Sequence, residues 1–423
     1  MRVFKIAALV GGVCATTVMA AGAADMAAEM AAVLPPCAMK CMMTSIPESS
    51  CAPTDQACMC KDAHYTAVLE KCVMLSCDVR ESLTMKNVTS TACGAPIRDR
   101  TKVVSYAGVA GGIIALVAFI LRMVARLNVF GGVFGMDDWT MLLTMILLIP
   151  LSALSVVLAD TGLGKDMWTL PFDNITHILY IYFWDELLYL SVLPMTKISI
   201  CCFYLRIFPD KRFRLATYIT IGLNVAYLIA FVLISVFQCR PLPGAWERWD
   251  KPQDYKCNAI NAQGWAAAVI NMALDILVMA LPLRQLYHLN LSLKRKSYVM
   301  CMFGLGIFVT LVSILRLNSL ISFASTTNLT WDYVSIGYWS TIECDVGVIC
   351  ACLPAIRSLL RRLAPGLFGD TQHTKSAYGV TSHSRGNNSN FGIGNQSKSD
   401  GQFYPLDDVE QSEEARLHHP HPV

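Results

Sequence analysis

A dense group of cysteines is followed by a series of long apolar segments, and this order most constrains the fold. Eight cysteines lie between Cys37 and Cys93, and beyond them the chain repeatedly runs apolar. Each apolar run reaches the roughly 20 residues that a membrane-spanning helix needs. We therefore expect a small cross-linked module followed by several membrane spans. This organisation argues against a soluble cytoplasmic enzyme.

The overall composition agrees with a membrane protein. Hydrophobic residues make up 54% of the 423 residues and charged residues 15%, which is more apolar than is usual for a water-soluble domain. The net charge of +3 gives no indication of a nucleic-acid partner.

The first residues have the pattern of a secretory signal peptide. Arg2 and Lys5 precede an apolar run, and small residues offer cleavage sites after Ala20 or Ala23. We predict a signal peptide at residues 1–20. A signal anchor is the alternative, but the run is short for a membrane span. Secretion would place the following segment in an oxidising compartment, where thiols form disulfides.

The cysteine-rich segment, residues 30–97, is too small to bury a large core, and disulfides would compensate for that. Its spacing does not give the pairing, because eight cysteines allow 105 connectivities. Zinc binding is an alternative, but the separations lack the paired two-residue gaps of common zinc modules. The eight residues are Cys37, Cys41, Cys51, Cys58, Cys60, Cys72, Cys77 and Cys93.

The segments PPCAMKC, CAPTDQACMC, KCVMLSC and TACG carry all eight cysteines. Their spacing resembles that of the fungal CFEM domain, over its whole length. The resemblance implies a small helical fold and the disulfides Cys37–Cys77, Cys41–Cys72, Cys51–Cys58 and Cys60–Cys93.

Some CFEM domains bind haem through an aspartate between the third and fourth cysteines, and here that position is Asp55. The resemblance thus makes haem a candidate cofactor, with Asp55 as the axial ligand of its iron. A platform for the porphyrin would come from Met42, Met43, Met59 and Tyr65. The simpler interpretation is that Asp55 caps a turn or helix, a role for which aspartate is favoured, and we take capping as the default.

Seven later segments are long and apolar enough to cross a bilayer as helices. We therefore predict an all-α fold, with a seven-helix membrane domain over 103–362 behind the disulfide-rich module. The predicted spans are Val103–Val124, Trp139–Leu158, Ile175–Phe203, Ala216–Phe237, Trp265–Leu286, Tyr298–Phe323 and Ser335–Leu359.

The distribution of lysine and arginine predicts the orientation. Basic residues concentrate in the loops after the first, third and fifth spans and after the seventh, which places those loops in the cytoplasm. The N-terminal module is then extracellular and the C-terminus cytoplasmic, in a multi-pass protein of the plasma membrane. Residues 363–423 are rich in Gly, Asn, Ser and His, so we expect a disordered tail.

Two further patterns agree with this orientation. The glycosylation sequons at Asn87, Asn174 and Asn328 all fall on the predicted outer side. Cys239 and Cys257 share one predicted outer loop and would close it with a disulfide.

The membrane region carries the segments RMVARLNVFGGVFGMDDW, KISICCFYLRIFP, NMALDILVMALPL and IECDVGVICACLPAIRSLL. Together with FQCRPLPGAWERWD and Cys257, they resemble the fungal rhodopsin-like domain of non-classical seven-span receptors in filamentous ascomycetes. The predicted seventh span has no lysine for a retinal Schiff base, so we do not expect light sensing. Lys197 lies near the inner end of the third span, where snorkelling to the headgroups would suit it.

Ionisable residues inside the spans are costly and require partners or a hydrated cavity. Arg316 and Glu343 lie at similar depth, so we predict that they form an ion pair. Structural pairing is the default over direct ligand contact, and a transporter-like ion relay is less favoured because no internal repeat is visible. The others are Asp185, Glu186, Lys197, Asp275 and Asp345.

Arg122 and Arg126 lie one helical turn apart, and Asp137 with Asp138 begin the next span. These charges would tie the first two helices together, which is the default, or present a docking surface to a signalling protein.

These patterns favour a receptor-like protein that perceives an extracellular or host-surface cue and signals through its cytoplasmic loops, with a role in pathogenesis. No catalytic constellation indicates an enzyme. The candidate partners are membrane lipid, an extracellular ligand or host surface, and a heterotrimeric G protein or other cytoplasmic signalling protein. The alternative is a membrane-anchored module that acts in haem binding, adhesion or virulence without signalling.

Overall fold

The computed structural model describes residues 34–53, 55–127, 132–287, 293–323 and 326–363. They form a small N-terminal module, residues 34–97, and a bundle of long helices. We call the end of the bundle that contacts this module the module end, and the opposite end the far end. The predicted signal peptide and C-terminal tail lie outside the described residues.

Four helices build the module: α1 (Pro36–Ser45), α2 (Gln56–Met59), α3 (Ala63–Ser76) and α4 (Val79–Ala92). Aspartates begin three of them. Asp62 accepts hydrogen bonds from the backbone N–H groups of His64 and Tyr65 at 3.0 and 3.1 Å. Asp78 forms a capping box with Glu81 at the start of α4. These caps satisfy N–H groups that have no partner within the helix.

The apolar core of the module is small, so cross-links carry much of its stability. Four disulfides join Cys37–Cys77, Cys41–Cys72, Cys51–Cys58 and Cys60–Cys93, the pairs that the family resemblance implied. Three of them link α1, or Cys60 at the end of α2, to residues that lie 31 to 40 positions later in the sequence. The fully buried apolar residues are Ala38, Cys41, Tyr65, Leu69, Val73 and Met85.

The bundle consists of long helices connected by short segments. Each predicted span coincides with one of them, although the helices extend a few residues further at most ends. They are α5 (Thr101–Ala125), α6 (Met136–Thr161), α7 (Phe172–Ile207), α8 (Lys211–Val236), α10 (Ile260–Tyr287), α11 (Leu293–Phe323) and α12 (Leu329–Leu363).

Five of these helices, α5, α6, α7, α8 and α10, are long and apolar enough to cross a membrane. Among the described side chains of α11, those from Gly306 to Leu320 form a shorter apolar stretch. Arg316 lies within that stretch, and Glu343 and Asp345 lie within α12. The described residues therefore establish an all-helical membrane domain with several apolar helices, whereas the number seven stays a prediction.

The connection between α8 and α10 folds over the module end. A short antiparallel pair, β1 (Cys239–Arg240) with β2 (Lys256–Cys257), encloses the helical turn α9 (Gly244–Glu247). Cys239 and Cys257 face each other in this pair and form a disulfide, as the shared loop suggested.

Candidate functional site

A buried polar network, which we call the central cluster, links four helices in the middle of the bundle. Glu343 on α12 lies at its centre with no exposed surface. Its carboxylate accepts hydrogen bonds from the Tyr189 hydroxyl at 2.7 Å, from Asn271 Nδ2 at 3.0 Å and from the Ser313 hydroxyl. One side chain thus connects α7, α10 and α11 to α12.

Arg316 balances the charge of Glu343. Its Nη1 lies 3.7 Å from Glu343 Oε2 and also donates to the Tyr189 hydroxyl, and its guanidinium lies 4.3 Å from the centre of the Tyr189 ring. The structure therefore brings together the two residues that we predicted to pair because they lie at similar depth in the membrane. Both are buried, which satisfies the requirement that a charge inside a low-dielectric interior has a partner.

A second ion pair extends the central cluster. Lys197 Nζ lies 3.1 Å from Asp275 Oδ1 and donates to the side chain of Asn271. Lys197 is only 4% exposed, so the expectation that it snorkels to the headgroups is wrong. A buried carboxylate within reach removes the need to extend the side chain toward water.

Asn271 bridges the two ion pairs, and the sequence interpretation missed it. Its Nδ2 donates to Glu343 and to Asp275, the latter at 3.3 Å, while its Oδ1 accepts from Lys197. The available signal was its position four residues before Asp275, on the same face of an otherwise apolar helix.

Two acidic residues of α7 lie closer to the module end. Glu186 accepts a hydrogen bond from Ser235 Oγ at 3.1 Å, and Ser235 Oγ in turn accepts from Gln263 Nε2 at 2.7 Å. These two hydrogen bonds connect α7, α8 and α10. Asp185 is half-buried beside Glu186.

A mainly apolar cavity lies next to the central cluster. Lys197, Asp275 and Glu343 border it, and apolar side chains of α7, α10, α11 and α12 form the rest of its wall.

A second network, the far-end cluster, ties α5 to α6. Arg122 is 1% exposed and donates to Asp138 at 2.8 Å, to Asp137 at 2.6 Å and to the backbone carbonyl of Ala351 at 2.6 Å. Arg126 pairs with the same two carboxylates at 3.1 and 3.2 Å. Because both aspartates are at most 2% exposed, they act as a structural tie and are not available for docking.

The module docks on the bundle through α4. Arg80 donates two hydrogen bonds of 2.7 Å to Asp250, and its guanidinium lies 5.3 Å from the Phe172 ring and 6.0 Å from that of Trp249. The Asp250 hydrogen bond raises the pKa of Arg80. Leu83 packs into an apolar cluster with Leu163, Met167, Ile175 and Ile178 of the bundle.

The segment between module and bundle is also anchored. Arg98 forms a bidentate pair with Asp166, and both Arg98 and Arg100 stack on Trp331, at 4.3 and 4.4 Å. The Thr101 hydroxyl and N–H lower the pKa of Asp99, which lies two residues before the start of α5. The module is therefore held to the module end by charge, stacking and apolar packing together.

The three predicted glycosylation sites differ in their surroundings. Asn87 is exposed on α4, and Asn174 is half-buried with its Nδ2 donating to the Thr161 carbonyl at 3.2 Å. Asn328 is only 8% exposed, donates to Asp166 at 2.8 Å and accepts from the Met167 N–H at 3.0 Å. This structure contradicts a glycan on Asn328, because the acceptor nitrogen is buried and bonded.

Asp55 takes the position of a helix cap. Its Oδ1 accepts from the Cys58 N–H at 3.0 Å at the start of α2, and the residue is exposed. Of the expected haem platform, Met42, Met59 and Tyr65 pack within the module core and only Met43 is largely exposed. These four side chains therefore do not form one open face for a porphyrin.

Comparison with known protein families gives one match to the bundle and one to the N-terminal module. The model of the family described as fungal rhodopsin domain matches residues 121–362, and that of the CFEM domain matches residues 30–94. No solved structure matches.

Similar proteins come from fungi. A SAT4 family membrane protein of Emericella nidulans is 33% identical over 181 residues, 42% of this chain and 44% of that protein. Fugralins biosynthesis cluster protein 2 of Gibberella zeae is 25% identical over 199 residues, 46% and 48% of the two chains. Receptor GIN3 of Arthrobotrys oligospora is 25% identical over 266 residues, 63% and 64%. The chain thus covers less than two thirds of each of these relatives.

Proposed function

Because the chain belongs to the fungal rhodopsin domain family and carries a CFEM domain before that domain, we propose that it is a cell-surface receptor-like protein of the plasma membrane. It perceives an extracellular or host-surface cue through its module and signals through its cytoplasmic loops, without catalysing a reaction. The main support is the central cluster, which joins four helices by buried charges that a rigid anchor would not need.

Seven spans are part of this proposal. Helices α11 and α12 have 31 and 35 residues, which at about 1.5 Å per residue is enough to cross a bilayer. Arg316 and Glu343 lower their hydropathy but neutralise each other inside the bundle, so neither charge meets lipid. An odd number of spans places the module and the C-terminus on opposite sides of the membrane.

The module is extracellular in this proposal. Five disulfides, four in the module and one in the loop at the module end, fit an oxidising compartment. The positive-inside bias of the loops gives the same orientation. The far end, with the Arg122 tie and the basic segment after α7, would then face the cytoplasm and its signalling partners, such as a G protein.

The proposed mechanism is a population shift between two packings of the bundle. A ligand that binds one packing better than the other favours it by the difference in binding free energy. The docked module transmits this difference to α7 and to the loop that contains Asp250, and the central cluster relays it to α10, α11 and α12. One of the relatives is named a receptor, which supports this reading.

A charge-reversal experiment tests the proposal. Arg316→Glu and Glu343→Arg would each abolish second-messenger responses of cells that display the protein at their surface, and the double variant would restore part of the response because the pair is re-formed. Arg248→Glu, an exposed reversal on the module end, serves as the control and keeps the response. Full responses from both single variants, at equal surface display, would exclude the central cluster as the relay.

The alternative function is a membrane-anchored module that binds haem, adheres to a surface or acts on a host. The exposed carboxylate of Asp55 supports a haem test, although its capping bond and the packing of Met42, Met59 and Tyr65 in the module core do not favour it. Replacing the bundle by an unrelated membrane anchor separates the two functions: retained activity supports the anchored module. A ferric haem titration of the whole protein that shows no Soret change dependent on Asp55 would exclude haem ligation.

A further inference from the structure

An acidic side chain in the middle of the bundle has no partner in the part of the chain that the structure describes. Asp345 on α12 is 2% exposed, and neither of its carboxylate oxygens makes a hydrogen bond there. The contrast with Glu343, two residues earlier, is sharp, because Glu343 accepts hydrogen bonds from three side chains. An ionised carboxylate in such a place costs several kcal/mol, so it must be neutralised.

The neighbours of Asp345 are glycines of α5. A Cβ atom placed on Gly111 would overlap Asp345 Oδ2, so the carboxyl group lies directly against the helix backbone. On the next residue, a Cβ on Gly112 would lie 2.7 Å from Ser152 Oγ of α6. Ser152 Oγ is also buried without a hydrogen bond in the described structure. The sequence GVAGG of α5 therefore makes room for these polar groups without pairing them.

Within the described residues, no unpaired cation is available to neutralise Asp345. From 107 to 121, α5 has no titratable side chain, and α6 has none from 139 to 159. On α7 and its partner helices, Lys197 is paired with Asp275, and Arg316 with Glu343. Cys344, next to Asp345 in α12, and the acidic residues Asp185 and Glu186 of α7 supply no positive charge.

We propose that Asp345 is a proton-binding site and that its carboxyl group is neutral when α5 and α12 are packed as in this structure. A proton needs no additional space, whereas a sodium ion needs a shell of several oxygen ligands. The contact between Gly111 and Asp345 leaves no room for such a shell on the α5 side. Loss of the proton places a bare charge between two helices and favours their separation, so proton binding is coupled to the packing of α5 on α12.

The sign of the pH effect follows from linkage. An acid that is protonated in the folded protein and ionised when unfolded binds more protons in the folded state, so stability falls as pH rises. We expect the thermal midpoint of the purified full-length protein to fall by about 2–4 °C per pH unit between the pH at which the unfolded acid ionises and the pH at which the folded acid ionises. Asp345→Asn, which mimics the neutral acid, removes this part of the pH dependence.

The experiment measures thermal unfolding in lipid nanodiscs between acidic and alkaline pH, with Asp160→Asn as the control. Asp160 is an exposed acid near the end of α6, and its replacement leaves the slope unchanged. Infrared difference spectra of the same samples report the C=O stretch of a protonated carboxyl group. This band is expected in the wild type and absent in Asp345→Asn, and in Asp345→Glu it shifts, which assigns it even if the asparagine variant does not accumulate.

Two outcomes would overturn the proposal. Equal pH slopes for the wild type and Asp345→Asn, together with no infrared band assigned to residue 345, would show that the carboxyl group is not protonated. Stabilisation of the wild type by sodium but not by potassium or choline, lost in Asp345→Asn, would assign the site to a metal cation instead. Neither outcome depends on whether the protein signals.

Discussion

The N-terminal module and the bundle solve the same stability problem in opposite ways. The module has few buried apolar side chains and is held by four disulfides, while its charges lie mostly at the surface. The bundle has abundant apolar surface, much of it exposed in the absence of lipid, and places its charges inside. In lipid, apolar packing alone does little to specify which helices become neighbours, so the buried ion pairs specify them.

The largest effect is expected where a buried charge loses its partner. Arg122→Ala leaves both Asp137 and Asp138 with Arg126, and Asp137 also with Arg206 at 3.7 Å. We expect a loss of about 3–5 kcal/mol in stability, because Arg122 is the only one of the three arginines that is fully buried with them. Thermal unfolding in nanodiscs, with surface expression as a second readout, measures it. Arg126→Ala is the matched control and costs less, because its side chain is already 13% exposed.

The pairing also predicts a rescue. Arg122→Ala combined with Asp138→Asn removes one positive and one negative charge, so stability should recover in part. If Arg122→Ala is as stable as the wild type, the bundle does not depend on buried pairs and the contrast with the module fails.

The second prediction concerns the module. Replacing Cys60 and Cys93 by serine opens a loop closed over 33 residues and is expected to destabilise the module by about 3–4 kcal/mol. Replacing Cys51 and Cys58 opens a loop of only 7 residues and should cost about 2 kcal/mol. Hydrogen exchange of the full-length protein, read by mass spectrometry, would show faster exchange in α1–α4 with the bundle unchanged. Equal exchange in both variants would contradict the loop-length argument.

The sequence predicted the two regions unequally well. All-helical architecture and the positions of the long helices follow from apolar run length, and the family resemblance supplied the module's disulfides. Among the site residues, the depth of Arg316 and Glu343 was sufficient to pair them. Lys197 was misjudged because its partner Asp275 lies 78 residues later on another helix, and periodicity within one helix does not show which helices are neighbours.

The docking of α4 could not have been predicted from local patterns. Arg80 and Asp250 are 170 residues apart, and each has the ordinary appearance of a surface charge. Asn328 was assigned to glycosylation because a sequon carries no information about burial. The α4 contact and the burial of Asn328 have the same cause, because contacts between the module end and distant segments depend on tertiary packing.

The third prediction sharpens the comparison at the boundary between the two regions. Because the Arg80 side chain is 49% exposed, Arg80→Ala should weaken docking by only about 1 kcal/mol. Leu83→Ala removes buried apolar packing and should cost roughly 2 kcal/mol or more. Distances between spin labels on α3 and on the loop after α8 would report the undocked fraction. A larger effect of Arg80→Ala than of Leu83→Ala would show that charge, and not packing, holds the module.

The smallest effect is an acid sensitivity confined to the module. The Ser49 hydroxyl, followed by the Tyr65 N–H, lowers the pKa of Asp62 below its ordinary value of 3.8. A carboxyl group with a lowered folded-state pKa stabilises the protein above the unfolded value, and this contribution is lost as pH falls through the folded value. Asp62→Asn should therefore be less stable than the wild type at neutral pH, and the difference should decline below about pH 4 and disappear once the pH is below the folded-state pKa. Ser49→Ala removes the largest cause of the pKa shift and should show a smaller difference in stability of the same sign.

Hydrogen exchange at α3 as a function of pH measures the stability of both variants. If the lower stability of Asp62→Asn persists undiminished into acid, the lost contact is the helix cap and not the charge.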